Sequence, residues 1–152
     1  MLRSDILIAL PLLIEKDYDD AAGVDMDQAA ADVGSFIVPF RCEVFLAGAV
    51  VTEVCAGSTS TPVVDFDLRP TAGSEASRGA ADIAHLVLAT TAAGKVIYDR
   101  VAKGTVLEPG QEVIVQLVTA AVGTPTGHIK PFLLVKQVPE TIANLTGMVE
   151  TA

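Results

Sequence analysis

Thr105–Val118 reads TVLEPGQEVIVQLV and carries the clearest fold signal in this chain. A β-run enters the stretch, Pro109-Gly110 interrupts it, and a second run rich in β-branched residues follows. Proline fixes φ at the corner of a turn, and glycine takes the φ > 0 position that most residues avoid. In the second run Val113, Val115 and Leu117 alternate along the chain and therefore share one face of a strand. The opposite face carries polar residues, among them Glu112 and Gln116.

Runs of the same kind recur from Phe36 to Val138, separated by residues typical of turns. Closely spaced short strands without intervening helices of 10–15 residues indicate an antiparallel sandwich or barrel rather than a parallel α/β sheet. The fold class is therefore all-β. The predicted strands are Phe36–Phe40, Arg41–Leu46, Val50–Cys55, Val63–Leu68, Ile83–Thr90, Lys95–Val101, Glu112–Thr119 and Ile129–Val138.

The pattern divides the chain into three parts. They are an N-terminal arm with an acidic segment (1–34), a β-sandwich domain (35–138) and a C-terminal tail (139–152). Ile6–Ile14 is predicted to be a short strand or extended arm, which Pro11 places at a sheet edge. The one plausible helical stretch lies around Met26–Val33, and Ala47-Gly48-Ala49 is the candidate loop of a hairpin.

Composition favours a folded chain whose surface is partly covered by other chains. Of 152 residues, 51% are hydrophobic and 19% charged, with a mean hydropathy of +0.50. That composition is too apolar for a disordered chain. It is also apolar for a lone soluble monomer, whose largest exposed apolar patch normally covers a few hundred Å².

Charge and apolar run length exclude two classes of partner. The net charge is −9 and no basic stripe is present, which argues against nucleic-acid binding because phosphates must be neutralised. The longest apolar run, Ile6–Ile14, is too short to cross a bilayer. The residues after it are acidic and do not form a small-residue cleavage site, so a signal peptide is not expected. We therefore expect a protein made in the cytoplasm.

No combination of reactive side chains stands out. Cys42 and Cys55 are too few for a disulfide framework and are predicted to be buried free thiols. His85 and His128 lie on separate elements, and a cupin-like metal centre would need further ligands. His85 is predicted to be a hydrogen-bonded sheet residue. No G-x-S-x-G motif is present to suggest a serine nucleophile.

Acidic residues invite two further hypotheses. An EF-hand loop starting at Asp17 fails because Ala21 and Ala22 occupy positions that need an oxygen ligand and glycine. Whether the acidic segment 15–32 binds calcium in another way stays open. Asp65 and Asp67 alternate with apolar residues, which places both carboxylates on one face, predicted to be solvated.

A wider pattern covers residues 36–140. Its segments are Val38-Pro39-Phe40, Val63–Pro70 (VVDFDLRP), Gly94–Tyr98 (GKVIY), Leu107–Val115 (LEPGQEVIV), Lys130–Val135 (KPFLLV) and Pro139-Glu140. In these segments the chain resembles the small β-sandwich structural proteins of tailed bacteriophages, and within that group it is most similar to capsid decoration, or cement, proteins.

The resemblance implies an antiparallel, jelly-roll-like β-sandwich that is commonly a homotrimer. It implies a place on the outer surface of the virion capsid, where the protein stabilises contacts between major capsid proteins. It also implies terminal arms that reach neighbouring subunits. From the residues themselves we expect no catalytic residue, cofactor or metal, and no nucleic-acid or membrane partner. The candidate contact residues in the arms are Ile6, Leu7, Ile8, Leu10, Leu12, Leu13, Ile14, Ile142, Leu145, Met148 and Val149.

Two other functions fit the same composition. The first is a receptor- or carbohydrate-binding β-sandwich of a phage tail or fibre, although the chain has no tryptophan and only two tyrosines for stacking on sugars. The second is a cupin-type enzyme, which the low number of candidate ligands disfavours.

Overall fold

The computed structural model describes residues 11–15, 21–69, 83–89, 91–99 and 105–138. These residues form ten strands and no helix. None of the described segments is a helix long and apolar enough to cross a membrane. The strands are β1 (Pro11–Glu15), β2 (Val24–Asp25), β3 (Ala31–Ile37), β4 (Cys42–Ala56), β5 (Val63–Arg69), β6 (Ala84–Val87), β7 (Val96–Asp99), β8 (Val106–Leu107), β9 (Glu112–Thr119) and β10 (Thr126–Gln137).

The strands form two antiparallel sheets that pack face to face. The first sheet has the order β1-β10-β4-β7, with β2 added beside β10 and β8 beside β4, and the second has the order β3-β9-β5-β6. Leaving aside the two-residue strands, every connection crosses between sheets except that from β5 to β6. Eight strands connected in this way form a jelly roll, the double-sheet architecture built from two Greek keys. The predicted all-β sandwich is confirmed.

A single apolar core fills the space between the sheets. Its largest fully buried side chains include Phe66 and Leu86 from the second sheet and Leu133 from the first. Strand β9 supplies Val113, Val115 and Leu117 to it, as their alternation predicts. The turn at Pro109-Gly110 also forms, with Gly110 at a φ of 85°.

The helix predicted around Met26–Val33 is wrong. Met26 is fully buried and its N–H donates to the Gly127 carbonyl (2.8 Å), so this residue extends the pairing of β2 with β10. The Asp25 carboxylate accepts from the Asp27 N–H (2.7 Å), which turns the chain before β3 begins at Ala31. Helix propensity is a weak preference, and here the tertiary pairing and the Asx-type turn override it.

The hairpin predicted at Ala47-Gly48-Ala49 is also wrong, because β4 is one continuous strand of 15 residues. Gly48 does not form a turn; its missing side chain allows residues of the two flanking strands to lie close to its backbone. A Cβ there would lie 2.8 Å from Cζ of Phe132 and 2.7 Å from the Ile97 carbonyl oxygen, on the two strands that flank β4. A glycine in a strand interior often marks such an approach.

The sandwich was predicted to begin at residue 35, but the sheets also contain strands that precede this residue. β1 pairs with β10 at the edge of the first sheet, from Pro11 opposite Lys136 to Glu15 opposite Phe132. Pro11 therefore lies at a sheet edge, as its missing N–H predicts. Residues 1–10 and 139–152 lie outside the described residues.

Candidate interaction surface

The outer side of the first sheet exposes a contiguous apolar surface. Strand β10 alternates, with Leu133 and Val135 in the core, while Phe132 and Leu134 point to the opposite side. Neighbouring strands extend this surface because paired residues share a face of the sheet. We call it the outer apolar face, and its members are Leu13, Leu46, Val50, Val96, Tyr98, Phe132 and Leu134.

The backbone register arranges these side chains in three rows across the sheet. Leu13, Leu134 and Leu46 are paired in one row. Phe132 and Tyr98 flank Gly48 in the next, so that the two aromatic rings border the strand position that lacks a side chain. Val50 pairs with Val96 in the third row.

The ends of the face are considerably more exposed than its centre. Leu13, Tyr98 and Val96 keep 54%, 52% and 51% of their surface accessible, whereas Leu46, Val50, Phe132 and Leu134 are half-buried. Isolated exposed apolar residues are normal on a protein surface, but a contiguous set is typical of a binding surface. The arrangement is therefore suited to contact with another apolar surface.

Two lysines border this face along β10. Its outward residues read Lys130, Phe132, Leu134 and Lys136, and both lysines are exposed. At about 3.3 Å per residue the two lysines lie roughly 20 Å apart. Beyond Lys130, the His128 Nδ1 donates to Glu53 Oε2 (2.6 Å). An apolar centre with charged ends is the usual anatomy of a protein interface.

The arm residues predicted to make contacts are only partly described. Leu12, Leu13 and Ile14 lie in β1, where Leu13 joins the outer apolar face. The others, Ile6, Leu7, Ile8, Leu10, Ile142, Leu145, Met148 and Val149, lie outside the described residues. Sequence reasoning missed the residues of β10 and β7. The signal was present in Phe132-Leu133-Leu134-Val135, where apolar residues occupy both faces of the strand.

The outer side of the second sheet carries a polar row instead. Asp32, Gln116, Asp65 and His85 are paired successively across its four strands. Gln116 Nε2 donates to Asp32 Oδ1 (2.9 Å), and His85 Nδ1 donates to Asp65 Oδ1 (2.6 Å). The prediction that His85 is a hydrogen-bonded sheet residue is confirmed.

Asp65 and Asp67 share a face, as predicted, but the prediction that this face is solvated is wrong. Both are buried, together with Gln116 and Ile114. Ile114 is fully buried yet does not belong to the core between the sheets. Alternation along β5 indicates which side each residue takes, but it carries no information on whether that side is covered.

The Asp65–His85 pair resembles the base and orienting acid of a catalytic triad, which also requires a nucleophile. The imidazole is half-exposed, and the backbone N–H of His85 donates to Asp99 Oδ2 (3.2 Å). The two thiols are poor nucleophiles. Burial raises the pKa of each to about 11, with a smaller contribution from the carboxylates of Glu108 at Cys42 and Glu53 at Cys55. The thiolate is the reactive form, so such cysteines are inert.

The raised thiol pKa values predict a loss of stability at high pH. The ordinary pKa is 9.0, so between pH 9 and 11 the folded chain keeps protons that the unfolded chain releases. The stabilisation is complete below pH 9 and is lost as pH rises through 11, by about 1.4 kcal/mol per pH unit for each thiol. Urea unfolding at several pH values measures this slope.

The double variant Cys42→Ala/Cys55→Ala is the control, because lysines and tyrosines also titrate in this range. Its unfolding free energy should fall less steeply with pH than that of the unchanged protein. Equal slopes for the two proteins would contradict the assignment of this loss of stability to the two thiols.

The predicted acidic segment is only partly described. Residues 16–20 fall outside the described part, and Asp25 and Asp27 are exposed. Among the described residues, no three His, Cys, Asp or Glu side chains gather closely enough to hold a metal ion. Both cysteines are buried and unpaired, as predicted.

Comparisons with protein-family models, with curated proteins and with solved structures gave no match.

Proposed function

We propose that this protein is a non-enzymatic virion structural protein that binds the outer capsid surface and stabilises contacts between major capsid proteins. The observation that carries the proposal is the outer apolar face of the first sheet. It is a contiguous apolar surface on one side of the sandwich, bordered by exposed charges. Jelly rolls also occur among viral capsid domains, although a fold alone does not define a function.

The size of this face suggests more than one contact per subunit. Four strands at about 4.8 Å spacing and roughly 20 Å of strand length give an area of about 400 Å². A stable interface covers about 800 Å² on each partner. The face therefore supplies about half of such an interface, and the terminal segments, in which the sequence predicts apolar contact residues, would supply the rest.

Stabilisation would follow from mass action. A protein that binds the assembled shell and not its separate subunits shifts the equilibrium towards the shell. Repeated sites on one particle, or a homotrimer that engages several sites at once, would raise the effective affinity without new contacts.

The direct test is sedimentation with virion-sized particles, followed by quantitative mass spectrometry of the copies per major capsid protein. We expect hundreds of copies per particle. A handful would indicate a tail, fibre or vertex component and favour the receptor-binding alternative. Absence from particles would overturn the proposal.

The contribution of the arm is tested by deleting residues 1–10. This deletion keeps β1, which the first sheet requires because its residues pair with β10. We expect the shortened protein to remain folded and to bind particles at least about tenfold more weakly, since buried apolar area is lost. Unchanged binding would show that the N-terminal residues make no contact.

A further inference from the structure

Strand β7 forms an open edge of the first sheet. Among the described strands it pairs with β4 alone, and the Val51 N–H donates to the Lys95 carbonyl (2.8 Å) at the start of this pairing. Hydrogen-bonded pairs recur at every second residue of an antiparallel ladder, so Ile97 bonds to β4, whereas Val96 and Tyr98 direct their N–H and C=O groups outward. Such an edge is a template for a further strand.

The strands at the three other sheet ends carry features that oppose pairing with a further strand. β1 begins with Pro11, which has no N–H to donate. β3 contains a bulge between Asp32 and Gly34, which interrupts its register. In β6 the backbone N–H of His85 already donates to the carboxylate of Asp99. β7 contains neither a proline nor a register shift, so it is the edge best suited to accept another strand.

The sequence of this edge is complementary to itself when two copies run antiparallel. With Ile97 opposite its own copy, Val96 of each strand lies opposite Tyr98 of the other, and this register matches both outward residues of each copy. Pairs of an aromatic and a β-branched residue stabilise antiparallel strands. Lys95, which is exposed, lies opposite Asp99 in the same register, so opposite charges flank the apolar pairs. Their attraction does not require Asp99 to release β6, because it acts without direct contact.

We propose that two copies of this protein pair through their β7 strands and form a two-fold symmetric dimer. The axis is perpendicular to the sheet, so the two first sheets become one and both outer apolar faces lie on the same side. Two faces of about 400 Å² each then give about 800 Å², the area that a stable interface covers on one partner. The contact uses the same strand on both copies and closes at two. A homotrimer, which the resemblance implies, would need other contacts.

Sedimentation velocity on the full chain tests this pairing without any capsid, so its outcome is separate from that of the proposed function. The pairing adds about four backbone hydrogen bonds and forms a small interface, so we expect a Kd on the order of 10⁻⁵ M. The average mass should rise from the chain mass of 15.7 kDa towards twice that value between about 1 and 500 µM. Lys95→Glu replaces each attraction by a repulsion and should weaken association about tenfold or more.

Tyr98→Pro removes an outward N–H that the dimer uses and should keep the protein monomeric. Proline is tolerated in an edge strand where the N–H faces outward, so the variant should fold, which urea unfolding checks. Ile37→Pro in β3 is the matched control. The Val38 N–H donates to the Gln111 carbonyl, so the N–H of Ile37 also points away from its sheet. This control should associate as the unchanged protein does.

A monomer at every concentration would overturn the proposal, and so would a trimer. Association of a folded Tyr98→Pro variant equal to that of the unchanged protein would also overturn it. If Tyr98→Pro does not fold, Lys95→Glu decides alone, because Lys95 is exposed and its replacement leaves the fold intact. Unchanged association of that variant would show that the copies meet elsewhere.

Discussion

Placing glutamate at Leu13 and at Tyr98 is expected to abolish most of the proposed binding to capsids while leaving the protein folded. The two residues lie at opposite sides of the outer apolar face and are both about half exposed. A charge buried against an apolar partner must be desolvated, and the apolar area of the replaced side chain is lost as well, so each substitution should weaken binding by about 2 kcal/mol. That energy corresponds to roughly 30-fold in affinity for each position.

The matched control places glutamate at two apolar positions of the other sheet that are about as exposed or more so. Ile37 and Val87 keep 70% and 51% of their surface accessible and lie in β3 and β6. Exposed substitutions change folding stability little, so both double variants should unfold within about 1 kcal/mol of the unchanged protein. Co-sedimentation should show loss of binding for the first pair alone. Equal binding by both pairs would exclude the outer apolar face as the contact.

A large loss of stability is expected from Gly127→Ala. Gly127 has a φ of 131°, a conformation that L-residues rarely adopt, and lies at a register shift between β10 and β4. A Cβ there would lie 2.5 Å from Cα of Cys55, a backbone atom that cannot rotate away. Strain and overlap together should lower the free energy of unfolding by about 3 kcal/mol or more.

Gly110→Ala separates the two causes. Gly110 also has a positive φ, 85°, but a Cβ there would meet no atom within 4 Å. Only the conformational cost applies, and we expect a loss of about 1 kcal/mol. Urea unfolding at neutral pH compares the variants. A loss at Gly127 no greater than that at Gly110 would show that the β4–β10 contact relaxes without cost.

The sequence predicted strands well where alternation and turn residues agree. β9 has the predicted bounds, Glu112–Thr119, because Pro109-Gly110 marks its start and β-branched residues fill it. Prediction failed where the type of a residue is determined by its contact with a strand that is distant in the sequence. Gly48 has the composition of a loop, but it is required by Phe132 and Ile97, which no local pattern reveals.

The outer apolar face was only partly predictable, because its residues come together through pairing between strands that are distant in the sequence. The apolar run near the N-terminus predicts Leu13 as a contact residue, and Phe132-Leu133-Leu134-Val135 carries apolar residues on both sides of its strand. That Tyr98 extends the same surface is known only from the sheet order. The burial of Asp65 and Asp67 was likewise unpredictable, since alternation distinguishes the two sides of a strand but not which side is covered.

The pairing of β1 with β10 has a consequence for synthesis of the protein. The first strand of the described chain lies beside the last, and β10 also separates β1 from β4 within the first sheet. Pairing between strands so distant in sequence is slow to form, and β1 cannot pair with β10 until the latter leaves the ribosome. A product that terminates before Gln137 would lack part of that central strand. Intact translation would therefore be a precondition for completing the first sheet and for displaying the outer apolar face that it carries.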